Sequence, residues 1–403
     1  MDRLTNPIQP YAWGSRSAIA AMQERPPSAD PEAELWIGAH PAGPSTLEHS
    51  GVTLADTIAA APGRMLGARV EAAFGPRLPY LLKVLAADAP LSLQAHPDAP
   101  RARDRYAAGD PNYTDANHKP ELLVAIEEFE ALCGFRDPKV SAECLRTLNL
   151  PALVPVADAL ATGEAGLRSA VTTLLTWPAA DRSKLVEVVV ASGGRVGEND
   201  RFATEYAMAG RLARAYPGDV GVVVALLLNH VTLAPGEALW LPAGNLHSHL
   251  RGTGVEVMAA SDNVLRGGLT PKRVDVDELL EILRFEILAD PVLHPVGVSP
   301  GVVTWPVPAA EFTLFRAELD ERVRAVDLAL EGPRVVLCVR GELAAADEGS
   351  AVTLRGGQAA FGPASSAPLR LTGRGEAFLV GVGGRTAQLS RSWAAKGRRT
   401  AQL

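Results

Sequence analysis

The sequence predicts a mainly β protein made of two β units, with a helical segment inserted into the first of them. Between Trp36 and Phe135, short apolar runs alternate with glycine and proline, a pattern typical of packed strands joined by turns. Between residues 138 and 216, apolar residues recur three and four positions apart, which is the spacing of amphipathic helices. Strand-like runs return afterwards, so the helices interrupt a β structure.

The first β unit is expected to comprise residues 1–137 and 217–290, with the helical domain at 138–216. Within it, the apolar run Leu78–Leu85 predicts a buried strand that carries Lys83. A buried lysine is costly unless its ammonium reaches a partner, although such a side chain can also extend to the surface. The run Val220–Leu228 is β-branched enough to predict a strand, while its last residues also fit a helix.

The second β unit is expected to span residues 291–403 and to be a jelly roll without a metal. Strands are predicted at Arg334–Arg340 and Gly375–Gly383. Gly357–Pro363 repeats the glycine-to-proline spacing of Gly236–Pro242, but no histidine follows it. The basic tail from Ser390 to Leu403 is expected to be a frayed end; its cations are Arg391, Lys396, Arg398 and Arg399.

Composition indicates a globular protein and excludes several classes. The chain has 403 residues, 47% of them hydrophobic, with no run of apolar residues long enough to span a membrane and no signal-like start. We therefore expect a cytoplasmic protein without a membrane partner. The three scattered cysteines fit a reducing compartment. A net charge of −7 argues against a nucleic-acid partner, which would require a basic surface.

Polar residues in three segments predict a metal site. Gln94 and His96 stand two apart, so on a strand both side chains point to one face. Glu121 supplies a carboxylate. Residues 236–247 form a glycine turn, an apolar run and a tight corner that delivers His247, as in the second metal-binding segment of a cupin barrel. Two imidazole nitrogens and two oxygens suit zinc, with positions open for water or substrate.

Six ordered motifs resemble the type I mannose-6-phosphate isomerases, zinc-dependent enzymes of the cupin superfamily. The similarity extends to about Leu283, and the helical segment and C-terminal unit agree only in layout. The motifs are Tyr11-Ala-Trp-Gly, Ala33-Glu-Leu-Trp-Ile-Gly-Ala-His-Pro, Leu82-Lys-Val-Leu, Leu91-Ser-Leu-Gln-Ala-His-Pro-Asp, Asn117-His-Lys-Pro-Glu, and Ser261-Asp-Asn-Val-Leu-Arg-Gly-Gly-Leu-Thr-Pro-Lys.

The resemblance implies cupin jelly-roll barrels and an enzyme that interconverts mannose 6-phosphate and fructose 6-phosphate through a cis-enediolate. It implies a sugar-phosphate substrate, a place in carbohydrate metabolism and GDP-mannose supply, and one zinc ion per chain. We expect a monomer. The implied zinc ligands are those that the spacing nominates: Gln94, His96, Glu121 and His247.

This reaction moves one proton between C1 and C2 and another between the two oxygens, so it needs groups that exchange protons. The candidates are Glu256, His118, Lys119 and Asp262. Glu256 lies on a Val-Glu-Val-Met alternation that predicts an inward side chain, where burial raises its pKa and zinc lowers it. Its alternative role is to orient a metal ligand.

Cations are needed to bind the phosphate and hold the sugar. The available groups are Lys83, Lys119, Arg266 and Lys272, with the Ser92 hydroxyl as a further donor. The resemblance makes Arg266 an active-site residue that could also stabilise the enediolate. Its alternative is a structural ion pair with Asp262. Residues at motif positions that border the pocket in the family are Trp13, Glu34 and Trp36.

One position departs from the family, and two other functions remain open. The family usually has tyrosine two residues after the last histidine ligand, whereas this chain has His247-Ser248-His249, which changes the local hydrogen bonding. An iron-dependent cupin oxygenase would favour a histidine-rich triad, but Gln94 is the first ligand here. A non-catalytic sugar-phosphate-binding cupin would not need every motif ligand and cation.

Overall fold

The computed structural model describes residues 1–330 and 332–383, which form two antiparallel β-sheets and a helical segment. Up to Phe135, strands and short helices alternate as the punctuated sequence predicts. They are β1 (Asp2–Thr5), β2 (Ile8–Gln9), α1 (Ala18–Met22), β3 (Glu34–Gly38), β4 (Thr46–Leu47), α2 (Leu54–Ala60), α3 (Pro62–Leu66), α4 (Ala68–Phe74), β5 (Tyr80–Ala87), β6 (Leu93–Ala95), α5 (Ala99–Ala107), β7 (Glu121–Ala125) and β8 (Phe129–Phe135).

The inserted segment is helical and continues past its expected end. Its helices are α6 (Pro138–Thr147), α7 (Val154–Ala161), α8 (Glu164–Leu175), α9 (Arg182–Gly193), α10 (Ala203–Ala215) and α11 (Gly221–Ala225), with short 3-10 turns at Pro151–Leu153 and Ala179–Asp181. The predicted strand at Val220–Leu228 is wrong, because α11 occupies most of it. Asp219 accepts the backbone N–H of Gly221 at 2.7 Å, and burial among the other helices overrides the β propensity of the valines.

The remaining strands complete both sheets. Before the C-terminal unit come β9 (Leu228–Leu233), β10 (Ala238–Leu241), β11 (His247–Ala259), β12 (Leu265–Gly268), α12 (Val276–Ile282) and β13 (Val292–Leu293). Then follow β14 (Val296–Ser299), β15 (Val302–Thr304), β16 (Thr313–Leu319), β17 (Ala325–Leu328), β18 (Gly332–Ala346), β19 (Ala351–Arg355), β20 (Ala359–Ser365) and β21 (Leu369–Gly381). The strands predicted at Arg334–Arg340 and near Gly375 are confirmed within β18 and β21. The tail expected to fray, residues 390–403, lies outside the described residues.

Each sheet has a continuous strand order. The first runs β13-β10-β7-β11-β5-β3-β2, and β11 also pairs through its first residues with β6 and β8. The second runs β14-β15-β16-β21-β18-β20-β1-β4. The N-terminal strand β1 therefore belongs to the C-terminal sheet, with Asp2 opposite Phe361. The mainly β fold class with inserted helices is confirmed, whereas the closed barrels and the domain boundaries stay predictions.

The two sheets share one apolar core. Leu122 and Val255 of the first sheet pack in the same buried cluster as Leu314 and Phe378 of the second. Trp305, which is 1% exposed, also donates its indole N–H to the Gly236 carbonyl at 3.0 Å. The C-terminal unit is thus fixed against the strands that carry the candidate site. Across residues 1–330 and 332–383, no helix has both the length and the apolar character that crossing a membrane requires.

The buried carboxylate of Glu278 connects α5 and α12, the helices that follow β6 and β12. Glu278 of α12 is 5% exposed and accepts hydrogen bonds from Arg101 at 2.8 and 2.6 Å, from Arg105 at 2.7 Å and from the Tyr113 hydroxyl. Burial raises the pKa of Glu278, but these donors more than offset it and hold the pKa below its ordinary value. The ionised carboxylate therefore stabilises the packing of α5 on α12.

We predict that Glu278→Ala lowers the free energy of unfolding at pH 7 by about 3 kcal/mol, because it leaves two arginines without their carboxylate. Because the pKa of Glu278 is depressed, the wild type has this stabilisation at pH values above the ordinary glutamate pKa and loses it as the pH falls through the depressed pKa. The difference in stability between wild type and variant therefore narrows in acid. Denaturant unfolding across pH measures both. Glu281→Ala is the control, because the Glu281 side chain is 62% exposed and its contact with Arg101 is long, at 3.9 Å. An equal loss of unfolding free energy in this variant would contradict the prediction.

Candidate functional site

Three of the four predicted ligands meet in the interior. Glu121 Oε2 lies 3.3 Å from His96 Nε2 and 3.4 Å from His247 Nε2, and none of the three residues is more than 2% exposed. His96 Nε2 and Glu121 Oε2 are buried and make no hydrogen bond of acceptable geometry with any described residue. Leaving such atoms unpaired costs about 1–3 kcal/mol each. A cation bound between the three residues would satisfy them, so the donor set fits a metal ion.

Strand ends bring these residues together. His96 directly follows β6, Glu121 opens β7 and His247 opens β11. Gly244, in the corner before β11, donates its N–H to the His96 carbonyl at 2.9 Å. Its φ of 78° favours glycine, and a Cβ there would lie 2.7 Å from the carbonyl of Ile282. The Pro-Ala-Gly corner therefore joins two of the ligand segments as well as delivering His247.

Backbone carbonyls orient both imidazoles. His96 Nδ1 lies 2.8 Å from the Asn263 carbonyl, and His247 Nδ1 lies 3.1 Å from that of Asn245. A carbonyl only accepts, so each Nδ1 carries the hydrogen and each Nε2 keeps its lone pair for the centre. The Asn263 side chain, fully buried, in turn bonds the backbone of Thr114, Asp115 and Asn117 at 2.8 Å each. This asparagine thus holds His96 against the segment that leads to Glu121.

Gln94 and Arg266 lie side by side next to the three ligands. Gln94 is opposite His247 on one side and opposite Arg266 on the other, and its amide is 3.4 Å from His247 Nε2. Rotation of the amide would place its oxygen there instead. Arg266 is half-buried and pairs with no described carboxylate, so the expected alternative of an ion pair with Asp262 is wrong. Burial lowers the pKa of Arg266, and an anion at this point would be stabilised by it.

Lys119 faces the candidate metal centre. Its ammonium lies 3.2 Å from Glu121 Oε1, and the side chain is 9% exposed. Burial raises the pKa of Glu121, but the effects that lower it are larger, the greatest of them being the charge of Lys119, and the pKa is held well below its usual range. Glu121 is therefore an ionised carboxylate with one oxygen on Lys119 and the other directed to the imidazoles.

A chain of buried charges lies beside the centre. Lys83 is 3.4 Å from Glu34 and 3.8 Å from Glu256, and Glu256 is 3.2 Å from His249. Lys83 is 6% exposed, so it does not extend to the surface. Burial lowers its pKa, but the two glutamates reverse the effect and raise it. Trp36 donates its indole N–H to Glu34 at 2.6 Å.

Glu256 faces inward, as the alternation predicts. Burial and the charge of Glu121 raise the pKa of Glu256. The effects that lower it, led by the His249 hydrogen bond and the charge of Lys83, are larger in sum, so the pKa lies below the ordinary value. His249 lies two residues after His247, and β11 pairs in regular register between them. The two rings are 5.9 Å apart on the same face. His249 therefore engages Glu256 rather than solvent.

Two further candidates have partners at the edge of the site. The half-exposed side chain of Asp262 lies 3.3 Å from His40. The hydrogen bond from His40 lowers the pKa of Asp262, and burial opposes this effect only in part. His118 lies 2.7 Å from Glu311, a residue of the C-terminal unit. Sequence reasoning missed His40 and Glu311. His40 was within a quoted motif, whereas Glu311 gives no local signal.

The other candidates make no hydrogen bond or ion pair with the three ligands in the described part of the chain. Ser92 is partly buried just before β6, and Trp13 stacks on Tyr11 at 5.7 Å. Lys272 is exposed in the turn after β12, where it lines a cavity of about 380 Å³ together with Arg182 and Thr270. That cavity is not lined by any of the three converging ligands.

The arrangement as a whole combines a cation site with ionised carboxylates, lysines and an unpaired arginine, which suits proton transfer on an anionic polar substrate.

Known proteins resemble the chain at both the sequence and the structural level. Residues 1–138 match the family model for the catalytic domain of phosphomannose isomerase type I. The mannose-6-phosphate isomerase of Escherichia coli K12 is 33% identical over 94% of this chain and 99% of its own length. Mannose-6-phosphate isomerase 1 of Arabidopsis thaliana is 33% identical over 91% of this chain and 90% of its own.

Solved structures agree with these matches. A crystal structure of mannose 6-phosphate isomerase bound with zinc and yttrium has a TM-score of 0.85 and 32% identity, covering 95% of this chain and 99% of that one. A lysine-to-alanine mutant of the phosphomannose isomerase from Salmonella typhimurium has a TM-score of 0.84 at the same identity and coverage. The similarity therefore spans the helical segment and the C-terminal unit as well as the candidate site.

We predict that Asn263→Ala lowers the affinity for zinc by about 10–100-fold, because the carbonyl that orients His96 loses its anchors to residues 114–117. Competition with a zinc chelator of known affinity measures the change. Asn112→Ala is the control, because the Asn112 amide bonds Asp275 at 3.1 Å and touches none of the ligands. Unchanged zinc affinity in Asn263→Ala would contradict the orienting role.

Proposed function

The chain belongs to the type I phosphomannose isomerase family, and we propose on that basis that it interconverts mannose 6-phosphate and fructose 6-phosphate. The observation that carries the proposal is the meeting of His96, Glu121 and His247 with buried atoms that lack hydrogen-bond partners. The family relation supplies the reaction, and the converging atoms supply a place where it could occur. Related proteins named mannose-6-phosphate isomerase come from bacteria, plants, fungi and mammals.

We propose zinc as the metal, one ion per chain, held by His96, Glu121, His247 and the amide oxygen of Gln94. Both imidazoles direct Nε2 to the centre, and nitrogen with carboxylate oxygen is a donor set that zinc accepts. A zinc ion bound there would polarise the substrate carbonyl as a Lewis acid. The zinc in a related crystal structure supports this choice.

We propose Glu256 as the group that moves the carbon proton. Its lowered pKa keeps it ionised, so it can take the proton from C2 of the aldose and return it to C1. Lys83 and His249 hold the carboxylate in place. The second proton passes between the sugar oxygens, and we assign that transfer to Lys119, which contacts Glu121, and to His118 and Asp262 at the edge of the site.

We propose that Arg266 stabilises the negative charge of the substrate, since it is half-buried and has no carboxylate partner among the described residues. Ser92 and Lys272 are proposed to help bind the phosphate. Lys83 was an expected phosphate ligand, but its position between two glutamates favours a role in fixing Glu34 and Glu256. Trp13 and Glu34 are proposed to border the sugar. We propose that a single chain is sufficient for activity.

The reaction itself is tested by a coupled assay that detects fructose 6-phosphate formed from mannose 6-phosphate. We expect turnover without oxygen, loss of turnover with a strong chelator, and recovery when zinc is restored. Metal analysis of the purified protein should find zinc. Iron together with substrate-dependent oxygen uptake would support the oxygenase instead, and binding of the sugar phosphate without turnover would support the non-catalytic alternative.

Variants separate the metal ligands from the anion-binding group. Gln94→Ala and His247→Ala should lose bound metal and activity together. Arg266→Ala should keep its metal and lower kcat by about 100-fold or more, because a charge partner of the transition state is removed. Arg273→Ala serves as control, since its side chain is 87% exposed. Near-normal turnover in Arg266→Ala would rule out its assignment.

A further inference from the structure

A segment of the C-terminal unit reaches the candidate active site. Residues 305–312 run along the first sheet, with Trp305 bonded to the Gly236 carbonyl at 3.0 Å. At the other end of the segment, the Phe312 ring lies 6.3 Å from that of Trp240, on the strand that precedes the metal-site corner. Trp305 and Phe312 are each 1% exposed. Glu311 is therefore held by buried aromatic neighbours rather than on a free loop.

The Glu311 carboxylate has a specific partner. Its Oε1 accepts a hydrogen bond from His118 Nε2 at 2.7 Å, and its side chain is 12% exposed. Its other oxygen is buried and has no hydrogen-bond partner among the described residues. Burial raises the pKa of Glu311, but the effects that lower it are larger, the greatest of them being the hydrogen bond from His118, so the pKa is lowered and the group stays ionised. Losing this partner would leave a buried charge unpaired.

The contact acts on a residue of the proposed machinery. His118 precedes Lys119, which lies 3.2 Å from Glu121. A carboxylate that accepts the Nε2–H fixes both the ring and its tautomer, and it leaves Nδ1 as the nitrogen that can exchange a proton. We propose that Glu311 is a positioning residue for the isomerase reaction, through which the C-terminal β unit orients His118. This inference rests on the proposed function, and specifically on the role of His118.

A double-mutant cycle tests it in the full-length, zinc-loaded protein. His118→Ala should lower kcat by about 100-fold. Glu311→Ala should lower kcat by at least about tenfold with little change in KM, because His118 is present but misoriented. In the His118→Ala background, Glu311→Ala should change kcat by less than about twofold, since its partner is already gone. Glu311→Gln keeps an acceptor oxygen and should recover part of the loss.

A matched control separates positioning from a general effect on folding. Glu376 is 13% exposed, belongs to the same unit and pairs with Arg340 at 2.8 Å, away from His118. Glu376→Gln should leave kcat unchanged. Bound zinc and the thermal midpoint are measured for every variant, so that activity is compared at equal metal content and below the onset of unfolding.

The outcomes are distinct. Non-additive loss of kcat at equal zinc content supports the inference. Wild-type kcat in Glu311→Ala overturns it, as does a loss that is fully additive with His118→Ala. Wild-type kcat in His118→Ala also overturns it, while the isomerase proposal stands on the coupled assay of the unmodified protein. An absence of turnover in that unmodified protein would instead refute the proposed function.

Discussion

The structure depends on one constraint: His96, Glu121 and His247 place polar atoms in the interior where hydrogen bonds do not satisfy them. The backbone carbonyls of Asn263 and Asn245 accept hydrogen bonds from Nδ1 of His96 and of His247, so Nε2 of each ring is directed inward. Burying such atoms costs free energy, which the surrounding apolar strands must offset. The fold therefore maintains a site whose geometry favours a cation even though the protein alone gains nothing from it.

Charges around this centre alternate in sign. Lys119 contacts Glu121, and Lys83 lies between Glu34 and Glu256. Glu121 and Glu256 are kept ionised despite burial because a cation or imidazole is within reach of each. Arg266 is the exception, since no described carboxylate pairs with it. An anionic ligand would neutralise that unpaired charge, so a net charge of −7 does not exclude such a ligand at this point.

The sequence predicted the parts of the site that short motifs carry. Two-residue spacing indicated that Gln94 and His96 share a face, and the Pro-Ala-Gly corner indicated His247, because both depend on local backbone geometry. Alternation also predicted the inward side chain of Glu256. The Glu311 contact could not be predicted, because it joins residues 193 positions apart across two sheets. The helix α11 was missed because its valines favour strands, and only packing among the other helices decides otherwise.

The pairing of β1 with β20 has a consequence for synthesis of the protein. Asp2 leaves the ribosome 359 residues before Phe361, its partner across the sheet. At about 5–20 residues per second, the interval is on the order of tens of seconds. During that time one edge of β1 remains open, and the second sheet cannot close. Until then the open edge of β1 can be bound by a chaperone or can pair wrongly with another chain. Such mispairing would be a hazard specific to this topology.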